Sequence, residues 1–343
     1  MMRPIHLAIL GCGAIACSEH IPAAALHPRI ELTALVDTDL TRAQGLIRTH
    51  GLSCKAVSDY HDVFGQVDAI INALPNHLHL TSNQDCLSAG LHVLCEKPLA
   101  ITAAEARSCT ELAEQKNLVL AVGMNRRFAA SHRLLRLVMH DGLLGKVLDY
   151  DFQYGGVFDW NSATGFYFDC TKAGGGALMD FGIHMLDSVL DWFGPVSCFD
   201  YWDDDWGSGV EANVLLDVRH EFGAIPGRLR ISRTFGLKNR LLVRGSSASA
   251  EISTAAPETV VIHRPVDRVP VSQTLQIENF SAAKSYFRQL DNFVACIIDG
   301  SKPEVDGWQA IRTLELIENC YAHKRRIPEP WTELDMEKVE TPT

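Results

Sequence analysis

Residues 5–16 read IHLAILGCGAIA, a short apolar run that passes directly into a GxGxxA turn. The apolar run predicts a buried strand, and the residues after the turn predict a helix. Gly11 allows the tight turn between them, and Gly13 lets the backbone approach a pyrophosphate held at the helix N-terminus. Ala16 occupies the position of a frequent third glycine, which the G/A form of this fingerprint admits. The stretch therefore predicts the first strand, turn and helix of a dinucleotide-binding fold.

A second strand and an acidic residue follow at the expected distance. The helix is predicted to run to about Leu26, and residues 31–36 predict a strand that ends at Asp37. Asp37 lies roughly 20 residues beyond Ala16, where a carboxylate is expected to bind the adenosine ribose. The alternative is a glycine turn in an unrelated α/β protein, with Asp37 only capping a helix over residues 39–49. The order strand, glycine turn, helix, strand and acid favours the dinucleotide-binding interpretation.

The residues around Asp37 also bear on the choice between NAD and NADP. A carboxylate accepts a hydrogen bond from a free 2′-hydroxyl and repels a 2′-phosphate. Thr38 follows, where an arginine would favour the phosphate. Arg42 lies one helical turn further on and could still reach a phosphate. The sequence favours NAD and leaves NADP open.

The alternation of strands and helices continues through the first third of the chain. The predicted strands span residues 67–74, 91–95 and 118–122, and the predicted helices span residues 78–89 and 102–116. Thr102 and Glu105 form a capping box at the start of the last of these helices. Such alternation predicts a doubly wound parallel sheet, whose ligands lie beyond the carboxyl ends of the strands. Glycines or polar residues occupy four of these strand ends, at Gly11, Asp37, Pro75-Asn76 and Glu96-Lys97.

Composition limits the classes of function. The chain has 343 residues, which suggests two domains, and its formal net charge of −11 without a basic block argues against nucleic acid and membrane surfaces as partners. No apolar run is long enough to span a membrane, and the N-terminus is too short for a secretory signal. The ten cysteines contain no CxxC pair, so we expect reduced thiols in a cytoplasmic protein. The His77 and His79 pair has no third ligand nearby, so we expect no metal site.

The second part of the chain predicts a different architecture. Strand-like runs follow one another without an intervening helix, which predicts a mainly antiparallel sheet in an α+β domain. They span residues 196–202, 210–218, 228–234, 240–244 and 250–253. A separate strand over 147–157 precedes them, and helices are predicted over 131–140, 282–298 and 308–323. Residues 158–172 are irregular and aromatic, and Trp160 and Tyr167 could stack on a sugar ring or simply pack. We expect a polar tail over residues 329–343.

The stretch 174–184, GGGALMDFGIH, reads as three glycines that open an amphipathic helix. Asp180 and His184 are four residues apart, so both side chains leave the same helix face. A carboxylate and an imidazole placed in this way can bind a hydroxyl and remove its proton. Glycines at the helix start would let substrate or nicotinamide approach closely. The alternative is a glycine loop followed by a helix-surface pair.

Several of these motifs together resemble the glucose–fructose oxidoreductase / inositol dehydrogenase (Gfo/Idh/MocA) family. The resemblance spans nearly the whole chain and rests on five segments besides the glycine turn: Leu74-Pro75-Asn76 with His79, residues 89–99 with Glu96-Lys97-Pro98, residues 122–128 (VGMNRRF), GGGALMDFGIH, and residues 303–321. It implies a Rossmann domain over residues 1–124 and a substrate domain over 125–328. It also implies that helix 308–323 packs back towards the first domain, and that an open sheet face forms a homodimer or homotetramer.

The resemblance implies hydride transfer between NAD, or possibly NADP, and a hydroxyl-bearing carbon of a sugar, cyclitol or other polyol. The catalytic residues would be Lys97, Asp180 and His184. His184 would be the general base, with Lys97 as the second candidate for that role, and Asp180 would bind a neighbouring hydroxyl and orient the base. Lys97 would stabilise the developing alkoxide and lower the pKa of His184. The cofactor would contact Gly11, Gly13, Ala14, Ile15, Asp37, Thr38, Arg42, Leu74, Pro75, Asn76, His79, Glu96, Lys97 and Asn125. The substrate would contact Arg126, Trp160, Tyr167, Asp180 and His184.

Two other functions remain open at this point. An enzyme of the same fold could retain NAD and use transient oxidation to cleave or eliminate at a neighbouring carbon. A nucleotide sensor or corepressor could use the fold without catalysis, but such proteins tend to lose the lysine and histidine that are present here.

Overall fold

The computed structural model describes residues 3–157, 165–205, 207–254, 256–277 and 285–327. Within these residues, the chain forms one six-stranded and one nine-stranded sheet, each with helices packed against it. The fold class predicted from the sequence, a Rossmann sheet followed by an α+β domain, is confirmed. Trp160 and the tail over 329–343 lie outside the described residues.

All strands of the first sheet are parallel, in the order β3-β2-β1-β4-β5-β6. This order places the crevice of a doubly wound fold beside β1. Every residue of β4 and β6 is buried, as expected for a parallel sheet covered on both faces. The strands are β1 (Ile5–Leu10), β2 (Ile30–Val36), β3 (Lys55–Val57), β4 (Ala69–Asn72), β5 (His92–Glu96) and β6 (Leu120–Gly123).

Two of the four helices described in this region begin at a side-chain cap. Asp39 caps α2, and the capping box of Thr102 and Glu105 is formed at the start of α4. The helices are α1 (Ile21–Leu26), preceded by a wide π-helical turn (Ala16–His20), then α2 (Leu40–His50), α3 (His79–Ser88) and α4 (Ala103–Lys116). Short 3₁₀ turns cover Tyr60–Val63, Asn76–Leu78 and Asn125–Phe128.

The second sheet is mainly antiparallel, in the order β14-β13-β12-β11-β7-β10-β9-β8-β15. The pairs β7–β10 and β8–β15 are parallel. Its strands are β7 (Val147–Gly155), β8 (Val196–Asp203), β9 (Asn213–His220), β10 (Pro226–Ser232), β11 (Arg240–Gly245), β12 (Ser249–Ser253), β13 (Thr259–Val266), β14 (Val269–Gln276) and β15 (Arg325–Arg326).

The sequence pattern missed the hairpin of β13 and β14. Prolines at Pro265 and Pro270 interrupt both strands, and almost every residue of β14 is exposed, so apolar alternation is weak there. Asp267 and Arg268 both have positive φ at the tip of the hairpin. Two consecutive residues in this conformation suit the twist of a tight hairpin turn.

The remaining helices follow the last strand of the first sheet along the chain. They are α5 (Ala130–His140), α6 (Cys170–Ala173), α7 (Ile183–Phe193), α8 (Ser285–Asp299) and α9 (Gly307–Ala322), with a 3₁₀ turn at Phe166–Phe168. Helix α9 packs against α4, where Gly307 lies close to Thr110, Arg107 donates to Glu315, and Trp308 donates to Glu114. Among the described residues, no helix is long and apolar enough to cross a membrane.

The glycine stretch before α7 differs from the single helix expected from Gly174. Gly174 ends α6 in a left-handed conformation, with φ of 81°. A π-helical turn then covers Leu178–Gly182, and α7 begins only at Ile183. Asp180 therefore lies in the wide turn and His184 in the helix. Wide turns of this kind are frequent at functional sites.

Candidate active site at the carboxyl edge of the parallel sheet

The glycine turn after β1 has one crowded and one open glycine. A Cβ on Gly11 would lie 2.6 Å from the carbonyl oxygen of Ala73, and the φ of Gly11 is 89°. No atom lies within 4 Å of the position that a Cβ on Gly13 would take. Ala14 is exposed and Ile15 is partly buried beside it. The turn thus leaves a bare backbone at the start of the first helix, which suits a pyrophosphate.

Asp37 ties this turn to the end of β2. Its carboxylate is buried and accepts from the backbone N–H groups of Cys12 at 3.0 Å and Asp39 at 2.8 Å. Arg42 Nη1 lies 3.2 Å from both carboxylate oxygens, and Thr38 is exposed at the same edge. Arg42, which could have donated to a 2′-phosphate, is therefore bonded to Asp37, the carboxylate that suits a 2′-hydroxyl.

The strand ends after β4 and β6 reach the second half of the chain. The Asn76 amide donates to the carbonyl oxygen of Ala173 at 2.8 Å, directly before the glycine stretch. The Asn125 amide lies 3.4 Å from the Ser285 hydroxyl at the start of α8. Pro75 is partly buried. These amides link the carboxyl edge of the first sheet to the residue before the glycine stretch and to α8. We call the region between that edge and the glycine stretch the cleft.

His79 is fully buried, unlike the other proposed cofactor contacts. Its Nδ1 lies 2.6 Å from the carbonyl oxygen of Pro98, and its Nε2 lies 2.8 Å from that of Leu74. Burial lowers the pKa of this imidazole. Each ring nitrogen thus faces a backbone carbonyl oxygen, and a neutral ring donates to one of the two. His79 therefore links the segments that follow β4 and β5 in this conformation.

Glu96, at the end of β5, pairs with a histidine that sequence reasoning missed. The buried His20 Nε2 lies 2.7 Å from Glu96 Oε1, and the backbone N–H of Lys97 donates to Glu96 Oε2 at 3.2 Å. The His20 ring meets Tyr286 edge to face, with centroids 5.2 Å apart. Burial opposes ionisation of Glu96, but His20 and then Lys97 hold its pKa below the usual value. The position of His20 on the buried side of the helical segment after the glycine turn was the sequence signal that could have indicated this pair.

Lys97 and Asp180 meet across the cleft. Lys97 Nζ lies 2.8 Å from Asp180 Oδ1 and 3.0 Å from the Asp180 carbonyl oxygen. The other carboxylate oxygen accepts from Arg233 Nη2 at 3.0 Å. Burial opposes both charges, yet Asp180 raises the pKa of Lys97, and Lys97 with Arg233 lowers the pKa of Asp180. Arg233, which follows β10, was also missed, because only the folded sheet brings it to this helix.

His184 lies beside these charges without a bond to Asp180. Its Nδ1 is buried and finds no hydrogen-bond partner within the described part of the chain. Burial, followed by the charges of Lys97 and Arg126, moves the pKa of His184 well below its ordinary value. The imidazole is therefore neutral at working pH and can accept a proton. The expected effect of Lys97 on His184 is present, and Arg126 adds to it.

Two aromatic residues complete the described part of the cleft. The Arg126 guanidinium lies 4.5 Å from the centroid of the Tyr154 ring. Tyr167 is partly buried, and burial raises the pKa of its hydroxyl, while the charge of Lys97 acts in the opposite direction. Of the substrate residues expected from the sequence, Arg126, Tyr167, Asp180 and His184 are thus gathered in one place.

The glycines before Asp180 do not open space for a ligand, contrary to expectation. A Cβ on Gly175 would overlap the Tyr321 hydroxyl, and a Cβ on Gly176 would overlap the Glu211 backbone. The buried Glu211 carboxylate accepts from the N–H groups of Gly176 at 2.8 Å and Leu178 at 2.7 Å, and from the Tyr321 hydroxyl at 3.0 Å. The glycines are there because Glu211 and α9 press against the turn that carries Asp180.

The site thus combines a neutral imidazole, a lysine bonded to a carboxylate, and a bare glycine turn at one sheet edge. A neutral imidazole can take a proton from a hydroxyl, and a fixed ammonium group can stabilise the resulting negative oxygen. The glycine turn and Asp37 fit a dinucleotide, which when bound supplies a nicotinamide that exchanges a hydride with a carbon. Geometry and charge together suit oxidation of an alcohol or reduction of a ketone.

Comparison with known proteins identifies the family. A family model described as "Oxidoreductase family, NAD-binding Rossmann fold" matches residues 5–124, and its companion "Oxidoreductase family, C-terminal alpha/beta domain" matches residues 140–326. The chain is 32% identical to D-glucoside 3-dehydrogenase of Escherichia coli over 54% of this chain and 53% of that protein. It is 24% identical to inositol 2-dehydrogenase of Rhizobium meliloti over 94% of this chain and 98% of that protein.

Solved structures show the same fold. Levoglucosan dehydrogenase with NADH and L-sorbose superposes with a TM-score of 0.84 at 18% identity, covering 94% of this chain and 97% of that chain. KijD10, a 3-ketoreductase from Actinomadura kijaniata with NADP and TDP-benzene, superposes with a TM-score of 0.83 at 20% identity, covering 94% and 99%.

The chain spans about half the length of the first curated relatives it matches, which include D-glucoside 3-dehydrogenase. The two family models together match strands of both sheets of this chain. The resemblance drawn from the sequence motifs is confirmed: the chain belongs to the Gfo/Idh/MocA oxidoreductase family and carries its NAD-binding Rossmann domain.

Proposed function

We propose that this protein transfers a hydride between a nicotinamide cofactor and a hydroxyl-bearing carbon of a sugar, cyclitol or related polyol. The observation that carries the proposal is the contact of Lys97 with Asp180 beside His184, whose Nδ1 has no hydrogen-bond partner among the described residues. Relatives named glucoside 3-dehydrogenase, 1,5-anhydro-D-fructose reductase and inositol 2-dehydrogenase support the substrate class.

His184 acts as the general base in alcohol oxidation and as the acid in ketone reduction. Its neutral form accepts the hydroxyl proton, and the Lys97 ammonium stabilises negative charge as it develops on the oxygen. Asp180 holds Lys97 in place and can accept a hydrogen bond from a neighbouring hydroxyl. Its role is therefore directed at Lys97 and substrate, rather than at orienting His184.

The cofactor extends from the glycine turn to Lys97 in this proposal. Gly11, Gly13, Ala14 and Ile15 face the pyrophosphate, and Asp37 and Thr38 face the adenosine ribose. Leu74, Pro75, Asn76, Glu96 and Asn125 line the strand ends beyond it, and His79 acts through the Pro98 and Leu74 carbonyls. The bonding of Arg42 to Asp37 supports NAD as the preferred cofactor.

We also propose that the chain divides into a Rossmann domain over residues 1–124 and a substrate domain over 125–328. Assembly into a homodimer or homotetramer through the open face of the second sheet is a further proposal. That face carries paired charges at its surface, including Arg228 with Asp217. Paired charges of both signs can meet a second copy of the same face across a two-fold axis.

The test follows reduced nicotinamide absorbance with a panel of sugars and cyclitols, using NAD and NADP. We expect net formation of reduced cofactor, and His184→Ala to lower kcat by at least ~100-fold, the scale of a lost general base. The exposed His140→Ala serves as a matched control. Near-normal turnover by His184→Ala would refute the base assignment. Substrate conversion without net reduced cofactor would point to transient oxidation, and cofactor binding without turnover to a sensor.

A further inference from the structure

Glu211, between β8 and β9, is bonded to the start of the turn that carries Asp180. The residue is 1% exposed, and its carboxylate accepts from the backbone N–H groups of Gly176 at 2.8 Å and Leu178 at 2.7 Å. Its own carbonyl oxygen accepts from the N–H of Ala177, which lies between them, at 2.8 Å. The start of the turn is therefore fixed to one residue that lies 35 positions after Gly176.

The turn transmits this anchor to Asp180. The backbone N–H of Asp180 donates to the carbonyl oxygen of Gly176 at 3.0 Å, so the residue that Glu211 binds also holds the backbone of Asp180. The carbonyl oxygen and the carboxylate of Asp180 both accept from Lys97, at 3.0 and 2.8 Å. Hydrogen bonds thus connect Glu211 through Gly176 and Asp180 to the Lys97 ammonium group.

The residue next to Glu211 holds a second cation that binds Asp180. The backbone N–H of Arg233 donates to the carbonyl oxygen of Ala212 at 2.8 Å, and Arg233 Nη2 donates to the Asp180 carboxylate at 3.0 Å. Residues 211–212 therefore hold both the turn and the backbone of Arg233. Their position sets where the Asp180 carboxylate lies relative to Lys97 and Arg233.

Capping of the turn alone does not explain Glu211. Free N–H groups at a helix start are usually capped by a neighbouring serine, threonine, asparagine or aspartate. Residues 174–177 are glycines and an alanine, and no local side chain caps the turn. Burial raises the pKa of Glu211 to about 7, against the hydrogen bonds that lower it, so this carboxylate is costly to keep here. A distant cap adds what a local cap lacks, a fixed distance between the turn and Arg233.

We propose that Glu211 is a positioning residue for hydride transfer, which holds the Asp180 turn where Asp180 fixes the Lys97 ammonium group beside the substrate oxygen. Glu211 acts through Gly176 and Asp180. The inference rests on the proposed function and adds a residue that sets its geometry. A displacement of about 1 Å at a catalytic group can lower turnover about 100-fold, so small shifts of this turn matter.

The first test reports on the contact of Lys97 with Asp180 without any substrate. The folded protein is acetylated with a trace of acetic anhydride at about pH 8, where a small fraction of lysine amines is uncharged and reacts. Peptide mass spectrometry gives the rate at Lys97 relative to the exposed Lys116. Although burial opposes its charge, Asp180 raises the pKa of Lys97, so we expect slow labelling in the parent.

Glu211→Gln leaves one acceptor oxygen for two backbone N–H donors, so the turn should shift and loosen Lys97. We expect the relative labelling rate at Lys97 to rise about 10-fold, the effect of a pKa lower by about one unit. The exposed Glu221→Gln is the matched control and should label as the parent does. An unchanged rate at Lys97 in Glu211→Gln would overturn the inference.

A double-mutant cycle separates positioning from a general loss of stability. Asp180→Ala should itself raise the relative rate at Lys97. Adding Glu211→Gln should then change that rate by less than about 2-fold, because the residue through which Glu211 acts is absent. An equal increase with and without Asp180 would show that Glu211 acts by another route and would also overturn the inference.

If Glu211→Gln lacks a cooperative urea transition, Tyr321→Phe takes its place. It removes the hydroxyl that donates to Glu211 Oε1 at 3.0 Å and keeps the backbone bonds of the carboxylate. We expect labelling at Lys97 to rise about 2- to 10-fold, the range of one lost hydrogen bond, and this rise to disappear in Asp180→Ala. No rise, or a rise that persists without Asp180, would refute the positioning role.

Turnover of D-glucose and myo-inositol with NAD is measured in the same variants. We expect Glu211→Gln to lower kcat about 10- to 100-fold while the KM for NAD stays within about 2-fold, because the glycine turn and Asp37 are untouched. Normal kcat in Glu211→Gln would overturn the inference. Faster labelling in Glu211→Gln, combined with no reduction of NAD by the parent, would remove the proposed function and keep the control of Lys97 by Glu211.

Discussion

Replacing Lys97 with methionine removes the charge at the centre of the site while keeping a side chain of similar length. Lys97 makes two contacts with Asp180, at 2.8 Å to the carboxylate and 3.0 Å to the carbonyl oxygen. After the change, Asp180 keeps its bond to Arg233 at 3.0 Å. The variant therefore tests both the catalytic charge and the buried pair that holds it.

The magnitude follows from these distances. At an effective dielectric constant of about 20, unit charges about 2.8 Å apart attract by about 6 kcal/mol, and desolvation of both ions offsets much of this. Breaking one side of a buried pair costs about 3–5 kcal/mol, and the remaining Arg233 places Lys97→Met near the lower end. Loss of a general acid–base or alkoxide-stabilising group lowers turnover by at least ~100-fold, equivalent to about 2.7 kcal/mol in the activation barrier.

The variant also changes the pH profile in a defined direction. His184 works as a base when neutral, so activity falls as pH drops through its pKa. Burial first, and then the charges of Lys97 and Arg126, hold that pKa well below the ordinary value. Without Lys97, the pKa rises, and the acidic limb of kcat moves to higher pH.

The assay measures kcat against pH by reduced nicotinamide absorbance, with unfolding by urea recorded in parallel. Lys116→Met, exposed on α4, is the matched control. Turnover within a few-fold of the parent would refute the catalytic role of Lys97. An acidic limb that stays in place, in a folded variant with low turnover, would refute its electrostatic effect on His184.

Two further changes test the cofactor edge and the turn before α7. Asp37→Ala removes the acceptor for a 2′-hydroxyl and releases Arg42, so the ratio of kcat/KM with NADP to kcat/KM with NAD should rise about 10-fold or more. Adding Arg42→Ala should lower that ratio again. An unchanged ratio in Asp37→Ala would contradict this reasoning. Burial raises the pKa of Glu211 to about 7 from an ordinary 4.5, so between these pH values the folded state binds a proton that the unfolded state has lost. The free energy of unfolding should therefore decline by about 3 kcal/mol as pH rises through this window. Glu211→Gln should abolish that slope in urea unfolding, with the exposed Glu221→Gln as control, and a slope that persists would argue against Glu211 as its source.

Sequence patterns located five of the six strands of the first sheet because their signals are local, and they missed the three-residue β3 (Lys55–Val57). The capping box at Thr102 and Glu105 involves residues three apart, and it forms as expected. The strand ends followed from runs of apolar residues that stop at glycine or polar positions. The hairpin of β13 and β14 was lost for the same reason, since prolines and exposed side chains leave no apolar period to detect.

The partners of the site residues depended on the tertiary structure. The chain separates His20 from Glu96 by 76 residues, Lys97 from Asp180 by 83 and Asp180 from Arg233 by 53. No periodicity links positions so far apart. Helical spacing suggested that Asp180 orients His184, whereas in the structure its carboxylate is bonded to Lys97 and Arg233.

The sequence by itself determined the Rossmann fold and the family, because the glycine turn and the family motifs are short and contiguous. It also proposed Lys97, Asp180 and His184 as catalytic residues. Only the tertiary structure decided what those residues do to one another: which carboxylate holds the lysine, and why Gly175 and Gly176 lack side chains. The physical reason is that charge, burial and close packing act through distance in space, and folding sets these distances between residues that are remote along the chain.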